Sequence, residues 1–127
     1  IVHALPTDLH NWVLVTLEPR LGRTGLEERM APIYSVYLSP DESEEAGLKL
    51  RRFKADSPYK DSELLVAPLG EVIRCDKTPS VLGPIICERL WPFSQGVMAR
   101  VRFSRQRLAE WKDMDETAQI LLKEFAR

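Results

Sequence analysis

Residues 97–103 carry the clearest structural signal of the chain: Val97-Met98-Ala99-Arg100-Val101-Arg102-Phe103. The odd-numbered positions are all apolar, whereas the even-numbered positions hold a methionine and two arginines. Successive side chains of a strand point to opposite faces. The pattern therefore predicts a half-buried strand from which Arg100 and Arg102 project together.

The segment after this strand predicts a helix. Ser104 is a favoured N-cap residue, and apolar side chains then recur every three or four positions over 105–126. The apolar stripe consists of Leu108, Trp111, Met114, Ala118, Leu121 and Phe125. We expect this stripe to pack against the sheet, because such faces serve core packing far more often than cofactor or partner binding.

Three earlier stretches, at 12–17, 33–38 and 48–54, are rich in apolar and β-branched residues and predict strands. The alternation of the third stretch slips at Arg51-Arg52, which indicates a bulge or the end of the strand. The acidic stretch 41–45 predicts a solvated loop between the second and third strands.

The middle of the chain has a less regular pattern. Apolar residues recur at helical spacing over 62–74, which predicts a helix that begins or kinks at Pro68. Residues 81–82 and 85–91 predict strand, and residues 92–96 predict a turn.

The strand and helix at 48–74 thus echo the strand and helix at 97–126. This pattern predicts an α+β fold with antiparallel sheets and helices, built as a pseudo-repeat of a β-meander plus helix. The length of 127 residues, with 44% hydrophobic and 29% charged residues, is typical of one globular domain, 1–127.

Several classes of function lack their sequence signals. No apolar run is long enough to span a bilayer. No cysteine or histidine stands at metal-ligand spacing, and there is neither a glycine-rich phosphate loop nor a nucleophile elbow. We therefore predict a protein that is not an enzyme and that uses no cofactor and no metal.

The two cysteines, Cys75 and Cys87, are twelve positions apart. They match neither a metal motif nor a disulfide framework. We expect two buried, reduced thiols in an intracellular compartment. The first ten residues show no secretory signal pattern.

The charge distribution is uneven although the formal net charge is −1. Residues 1–47 have a net charge of −5, residues 48–107 of +6 and residues 108–127 of −2. A basic middle between acidic ends favours a phosphate-bearing partner. The alternative is that these charges are spread over different solvated surfaces.

The predicted strands at 48–54 and 97–103 hold most of the basic side chains that could form a positive platform. These side chains are Lys49, Arg51, Arg52, Lys54, Arg100 and Arg102. Aromatic residues such as Trp12 and Tyr34 are interleaved and could stack on bases, although most are expected in the core. Outward basic residues on a half-buried sheet are also ordinary surface, so the pattern leaves both interpretations open.

Short motifs in the chain resemble those of plant Whirly proteins. Residues 16–20, Thr-Leu-Glu-Pro-Arg, resemble the Thr-Val-Glu-Pro-Arg that closes a Whirly strand, and residues 68–73 stand where Whirly proteins have Glu-Ile-Gly-Ser-Ile-Ile. The Lys-Gly-Lys-Ala-Ala-Leu signature of the plant proteins is absent, since residues 10–15 are His-Asn-Trp-Val-Leu-Val. The chain is therefore more similar to the kinetoplastid mitochondrial RNA-binding proteins, which share the fold without that signature.

This resemblance implies a Whirly-like fold of two packed four-stranded antiparallel β-sheets with helices. It also implies a heterotetramer with a related subunit, located in the mitochondrion. The implied activity is sequence-nonspecific binding of single-stranded guide RNA through its phosphates, which promotes annealing to pre-edited mRNA in RNA editing. The implied phosphate contacts are the six basic residues above, with Arg20 and Arg89 as further candidates.

Two alternatives stay open from the sequence. One is a single-stranded DNA-binding protein of the Whirly type, and the other is a non-catalytic subunit of an oligomeric scaffold. Binding through phosphates weakens steeply with salt, whereas a scaffold subunit binds no RNA. The salt dependence of RNA binding therefore distinguishes the two nucleic-acid-binding hypotheses from the scaffold hypothesis.

Overall fold

The computed structural model describes residues 2–4, 12–81 and 83–125, and all strands in these ranges belong to one antiparallel sheet. The order across the sheet is β1-β2-β8-β7-β6-β5-β4-β3. The strands are β1 (Val2–Ala4), β2 (Val13–Pro19), β3 (Leu38–Glu45), β4 (Leu48–Phe53), β5 (Ser62–Val66), β6 (Val72–Asp76), β7 (Ile86–Ser94) and β8 (Val97–Ser104).

Strands β3 to β8 form a meander in which each strand pairs with the next one along the chain. Strand β2 pairs with β8 near one edge of the sheet, whereas β3 is the opposite edge strand. The connection from β2 to β3 must therefore cross the sheet. That connection contains the helices α1 (Leu26–Arg29) and α2 (Ser35–Tyr37), joined by the π-helical turn Met30–Tyr34.

The helical connection packs on one face of the sheet through residues spaced by four. Leu26, Tyr34 and Leu38 are buried and Met30 packs beside them, which is the repeat of one helical face. They cover Leu64, Val72, Leu90 and Met98 of the sheet, and Phe53 and Tyr59 meet Tyr34 edge to face.

The opposite face is covered by the C-terminal helix. A 3₁₀ turn (Arg105–Glu110) leads into α3 (Trp111–Phe125), and the Ser104 hydroxyl accepts a hydrogen bond from the Gln106 amide. The buried helical residues are Leu108, Trp111, Met114, Ala118 and Leu122. No helix in the described part of the chain is both long and apolar enough to cross a bilayer.

The predicted fold class is wrong at the level of the sheets. The structure has one eight-stranded sheet with helical layers on its two faces, and not two packed four-stranded sheets in a Whirly pseudo-repeat. The predicted repeat fails because 62–74 is not a helix. This region forms β5 and β6, joined by a turn in which Gly70 has φ +97° and Leu69 is exposed.

The helix prediction at 62–74 failed because β5 is buried on both faces. Leu64 and Leu65 have no exposed surface. A strand that is covered on both faces shows no alternation, and a short apolar run of this kind cannot be told from a helix by periodicity.

Two further predictions are corrected. Residues 33–37 are helical, and only Leu38 of the stretch 33–38 is in a strand. The acidic stretch 41–45 is the exposed outer part of the edge strand β3, where carboxylates discourage pairing with another sheet. The expected irregularity at Arg51-Arg52 lies on the neighbouring strand, between Leu38 and Glu42.

Other predictions are confirmed. Strands occur at 13–19, 48–53, 86–94 and 97–104, and the N-cap at Ser104 leads into helical structure. The predicted turn at 92–96 is shorter, because β7 continues to Ser94 through Pro92. Leu82 and residue 126 lie outside the described residues.

Candidate interaction surface

The residues predicted to bind phosphates lie in several separate places. Arg100 and Arg102 project from one face of β8 as predicted, but β4 lies four strand positions away in the sheet order. At a spacing of about 4.8 Å per strand, the two basic strands are about 19 Å apart. Arg52 contacts Glu63 on the sheet face that α3 covers, whereas Arg51 projects from the opposite face of the sheet.

Arg100 lies within a row of alternating charges that crosses four strands, from Glu18 on β2 through Arg100 and Glu88 to Arg74 on β6. Arg100 Nε donates to Glu18 Oε2 at 2.8 Å, and its Nη1 donates to Glu88. Arg74 Nε donates to the other Glu88 oxygen at 2.8 Å. Arg102 Nε lies 3.6 Å from Glu88. We call Glu18, Arg100, Glu88 and Arg74 the charge row.

The charge row keeps its carboxylates ionised. Hydrogen bonding from Arg100 lowers the pKa of Glu18 from 4.5 to about 2, against the effect of burial. Burial of Glu88 opposes its ionisation, but the charges of Arg74 and Arg100 outweigh this and hold its pKa below the ordinary value. The arginines of the row are therefore already neutralised within the protein.

The row continues at both ends through further polar contacts. At the β6 end, Arg74 Nη1 donates to Ser62 Oγ at 2.7 Å and to Asp76 Oδ1 at 3.1 Å. At the β2 end, Arg23 Nη1 lies 3.2 Å from Glu18. The part of this sheet face that the helices leave uncovered thus carries paired positive and negative side chains and does not form a positive platform.

A second ionic cluster lies on the opposite face, beside the start of the C-terminal helical region. Arg105 donates to Glu63 at 2.6 Å and to Glu45 at 2.8 Å, and Arg52 donates to Glu63 at 2.9 Å. Burial opposes the ionisation of Glu63, but Arg105 and Arg52 outweigh it and lower its pKa. Arg52 is therefore neutralised as well.

The remaining predicted residues have mixed surroundings. Lys49 and Arg51 both lie 3.6 Å from Glu42. Arg20 lies 3.8 Å from Glu28 in the turn after β2. Lys54 is exposed, and its ammonium group has no carboxylate partner among the described residues. The nucleic-acid role of all eight residues stays a prediction.

Arg89 lies where β6 and β7 separate. Their register contains only two pairs, Arg74 with Glu88 and Cys75 with Cys87. The carbonyl of Glu71 accepts from Ala67 on the β5 side, so the backbone groups of the next residue, Val72, point towards β7.

Side chains take the place of the missing backbone partners at this gap. Arg89 Nη1 donates to the Val72 carbonyl at 3.0 Å, and the Val72 amide donates to Glu27 Oε1 at 3.0 Å. Arg89 also pairs with Glu27 of α1 and with Asp115 of α3, the latter at 3.0 Å. Arg89 therefore links the two helical layers through the sheet.

Cys75 and Cys87 form a disulfide between β6 and β7, and both are fully buried. The expectation of two reduced thiols is therefore wrong. The spacing of twelve residues gave no signal for the bond. Residues 62–74, which include the first half of β6, were predicted as a helix, so the pairing of β6 with β7 was not foreseen.

Sequence reasoning missed the acidic members of these networks, namely Glu18, Glu63, Glu88 and Asp115. A signal for Glu88 was present, since it lies between Cys87 and Arg89 in a stretch otherwise typical of a buried strand. A carboxylate in such a stretch needs an ion-pair partner. Among the described residues, no three His, Cys, Asp or Glu side chains are placed to share a metal ion.

Comparison with known proteins gives one structural likeness. No protein-family model matches the chain, and no curated protein sequence matches it. The fold is similar to that of an immunity protein of the Stenotrophomonas maltophilia type IV secretion system, with a TM-score of 0.53 and 12% identity. The match covers 92% of this chain and 71% of that chain. The resemblance to Whirly-type RNA-binding proteins is thereby corrected.

Proposed function

We propose that this chain is a non-catalytic immunity protein that binds a secreted effector protein and prevents it from harming the cell. The observation that carries the proposal is the architectural likeness to an immunity protein over 92% of this chain. A domain of this kind acts by steric and electrostatic complementarity, so it needs a stable surface and no reactive group.

The disulfide supports a location in an oxidising compartment. Cys75 and Cys87 are buried and cross-linked, and such bonds persist in the bacterial periplasm and in secreted proteins but are rare in the cytosol. We therefore place the proposed function in the periplasm.

The ionic networks support a pre-organised binding surface. Each arginine of the charge row has carboxylate partners, so its side chain is held in place before a partner arrives. Rigid surfaces lose less side-chain entropy on association. Fixed charges of both signs also give specificity, because a wrong partner meets like charges.

The proposal is tested by removing the gene from the strain that encodes it. The deletion strain is grown on a surface in contact with its parent strain, and surviving cells are counted. We expect the parent to kill the deletion strain, and we expect a plasmid copy of the chain, exported to the periplasm, to restore survival.

A secretion-deficient parent is the control, since it delivers no effector and should leave the deletion strain unharmed. Equal survival with both parents would contradict an immunity function. A chain retained in the cytoplasm should protect less than the exported chain, and equal protection would contradict the proposed location.

A further inference from the structure

The turn that follows β2 has an unusual backbone. Leu21 and Gly22 have φ of +49° and +77°, and the Arg23 amide donates to the Arg20 carbonyl at 2.8 Å. Positive φ at both central positions defines a type I′ turn. Asn, Asp and Gly are preferred at the first of these positions, because the left-handed conformation crowds larger side chains.

Packing does not compensate for this conformation at Leu21, because its side chain is 87% exposed. Exposure alone does not single out this residue, since Val81 at the other end of the sheet is fully exposed too. What distinguishes Leu21 is the combination of an exposed apolar side chain with a backbone conformation that leucine disfavours.

The turn is braced from both sides. Arg20 Nε donates to the Arg23 carbonyl at 3.0 Å, and Arg23 Nη2 donates to the Pro19 carbonyl at 2.6 Å. The Arg20 amide donates to the Gly96 carbonyl at 2.8 Å, which ties the turn to the β7–β8 hairpin. These contacts fix the backbone of the turn, from which Leu21 projects into solvent.

We propose that Leu21 is the anchor of the effector interface and inserts into an apolar pocket of the effector protein. This inference rests on the proposed function. The guanidinium groups of Arg20 and Arg23, each about one-third exposed, lie beside Leu21 and face the polar rim of that pocket. Arginine is enriched at protein interfaces, and residues held in disfavoured backbone conformations cluster at functional sites.

The test uses two substitutions with the same effect on the backbone. Leu21→Asn and Ala46→Asn each place a preferred residue before a glycine, because Ala46 and Gly47 also have positive φ, +53° and +78°. Both should raise the melting temperature by about 3 °C. Val81→Asn is the control for loss of an exposed apolar side chain.

Each variant is exported to the periplasm of the deletion strain, its level is measured by immunoblot, and survival in contact with the parent is counted. We expect Ala46→Asn and Val81→Asn to protect as the original chain does. Leu21→Asn should protect at least about tenfold less at an equal protein level. A variant that is more stable and less protective shows a binding role that a structural role does not produce.

Two outcomes overturn the inference while leaving the proposed function standing. Full protection by Leu21→Asn would show that Leu21 is not the anchor. Dimerisation of the original chain in solution that Leu21→Asn abolishes, with protection unchanged, would assign the turn to self-association. Failure of the original chain to protect would overturn the proposed function and this inference together.

Discussion

Glu88 lies at the centre of the charge row and contacts more of the neighbouring charged groups than any other member of the row. Its side chain is 5% exposed, and its oxygens contact Arg74, Arg100 and Arg102. Removing a carboxylate from water is costly, and its attraction to several cations mainly offsets that cost. The row therefore specifies which strands lie side by side more than it adds net stability.

Glu88→Gln should destabilise the fold by about 3 kcal/mol, because it leaves two partly buried arginines without their shared partner. The change is measured as the shift of the urea unfolding midpoint at constant slope. Glu44→Gln is the matched control on the exposed strand β3, where we expect less than about 0.5 kcal/mol. Equal effects of the two substitutions would contradict the central role of Glu88.

The stability of the protein should fall in acid because of these carboxylates. The pKa of Glu18 is about 2 in the folded chain against an ordinary value of 4.5, and the pKa values of Glu63 and Glu88 are also lowered. A lowered folded-state pKa gives stability that is present above the unfolded pKa and lost as the pH falls through the folded one.

The free energy of unfolding should therefore decrease from about pH 5 towards pH 2, as urea titrations at each pH can measure. Glu18→Gln should flatten this decrease, since it removes one of the titrating groups. A slope identical to that of the original chain would show that Glu18 does not contribute.

At the level of elements, β6 and β7 share the fewest paired residues of any neighbouring strands in the described part of the chain. They have two register pairs, whereas β7 and β8 share eight. The junction of β6 and β7 is reinforced by the disulfide, by the Arg74–Glu88 pair and by Arg89, which meets both helical layers.

Arg89→Met should destabilise the protein by about 3–5 kcal/mol, because Asp115 is 7% exposed and would be left buried without a cation. Adding Asp115→Asn should recover part of the loss. The coupling is measured with a double-mutant cycle by urea unfolding. Additive effects of the two substitutions would contradict a direct interaction.

Reduction of the disulfide should destabilise the chain by about 3 kcal/mol, given the short loop that it closes. Thermal unfolding with and without dithiothreitol measures the effect. A Cys75→Ala/Cys87→Ala variant is the control, because its melting temperature should not respond to the reductant. Free thiols detected by alkylation of the unfolded, unreduced protein would contradict the bond.

Element types could be predicted where one face of the element is solvated. The helical stripe of Trp111, Met114 and Ala118 is visible in the sequence because one side of the helix is buried and the other is exposed. The alternation of 97–103 is visible because its second face holds the partly exposed Arg100 and Arg102 beside the buried Met98. The prediction failed for 62–66, which is covered on both faces. It also failed for 33–37, where the four-residue spacing of Leu26, Met30, Tyr34 and Leu38 was overlooked.

At the scale of the whole molecule, most of the described arginines are paired with carboxylates. Arg52, Arg100 and Arg105 each have carboxylate partners, and this pairing leaves less free positive charge than the sequence suggests. Non-specific binding of nucleic acid depends on cations that can replace counterions.

We therefore expect a labelled single-stranded RNA to show no salt-sensitive binding to the chain in fluorescence anisotropy at about 100 mM salt. The Arg100→Ala/Arg102→Ala variant should behave in the same way. Binding that weakens with salt and is lost in the variant would show that the paired arginines still bind phosphates, and it would favour the nucleic-acid prediction.

Candidate site residues were harder to predict than elements. The sequence placed Arg100 and Arg102 on one face, which the structure confirms, but it gave no means to find Glu18 or to tell which cations contact Glu88. These contacts join residues up to 82 positions apart. The sequence did not indicate Leu21, because a leucine in a polar loop gives no local signal that its backbone is left-handed.

The sequence by itself determined the strands at 13–19, 48–53, 86–94 and 97–104, the Ser104 cap and the helix after it, because these depend on local periodicity. Only the tertiary structure decided the single sheet, the disulfide and the path of residues 26–37 across it. These features depend on which strands become neighbours, and that choice is made by burial and charge pairing between distant residues.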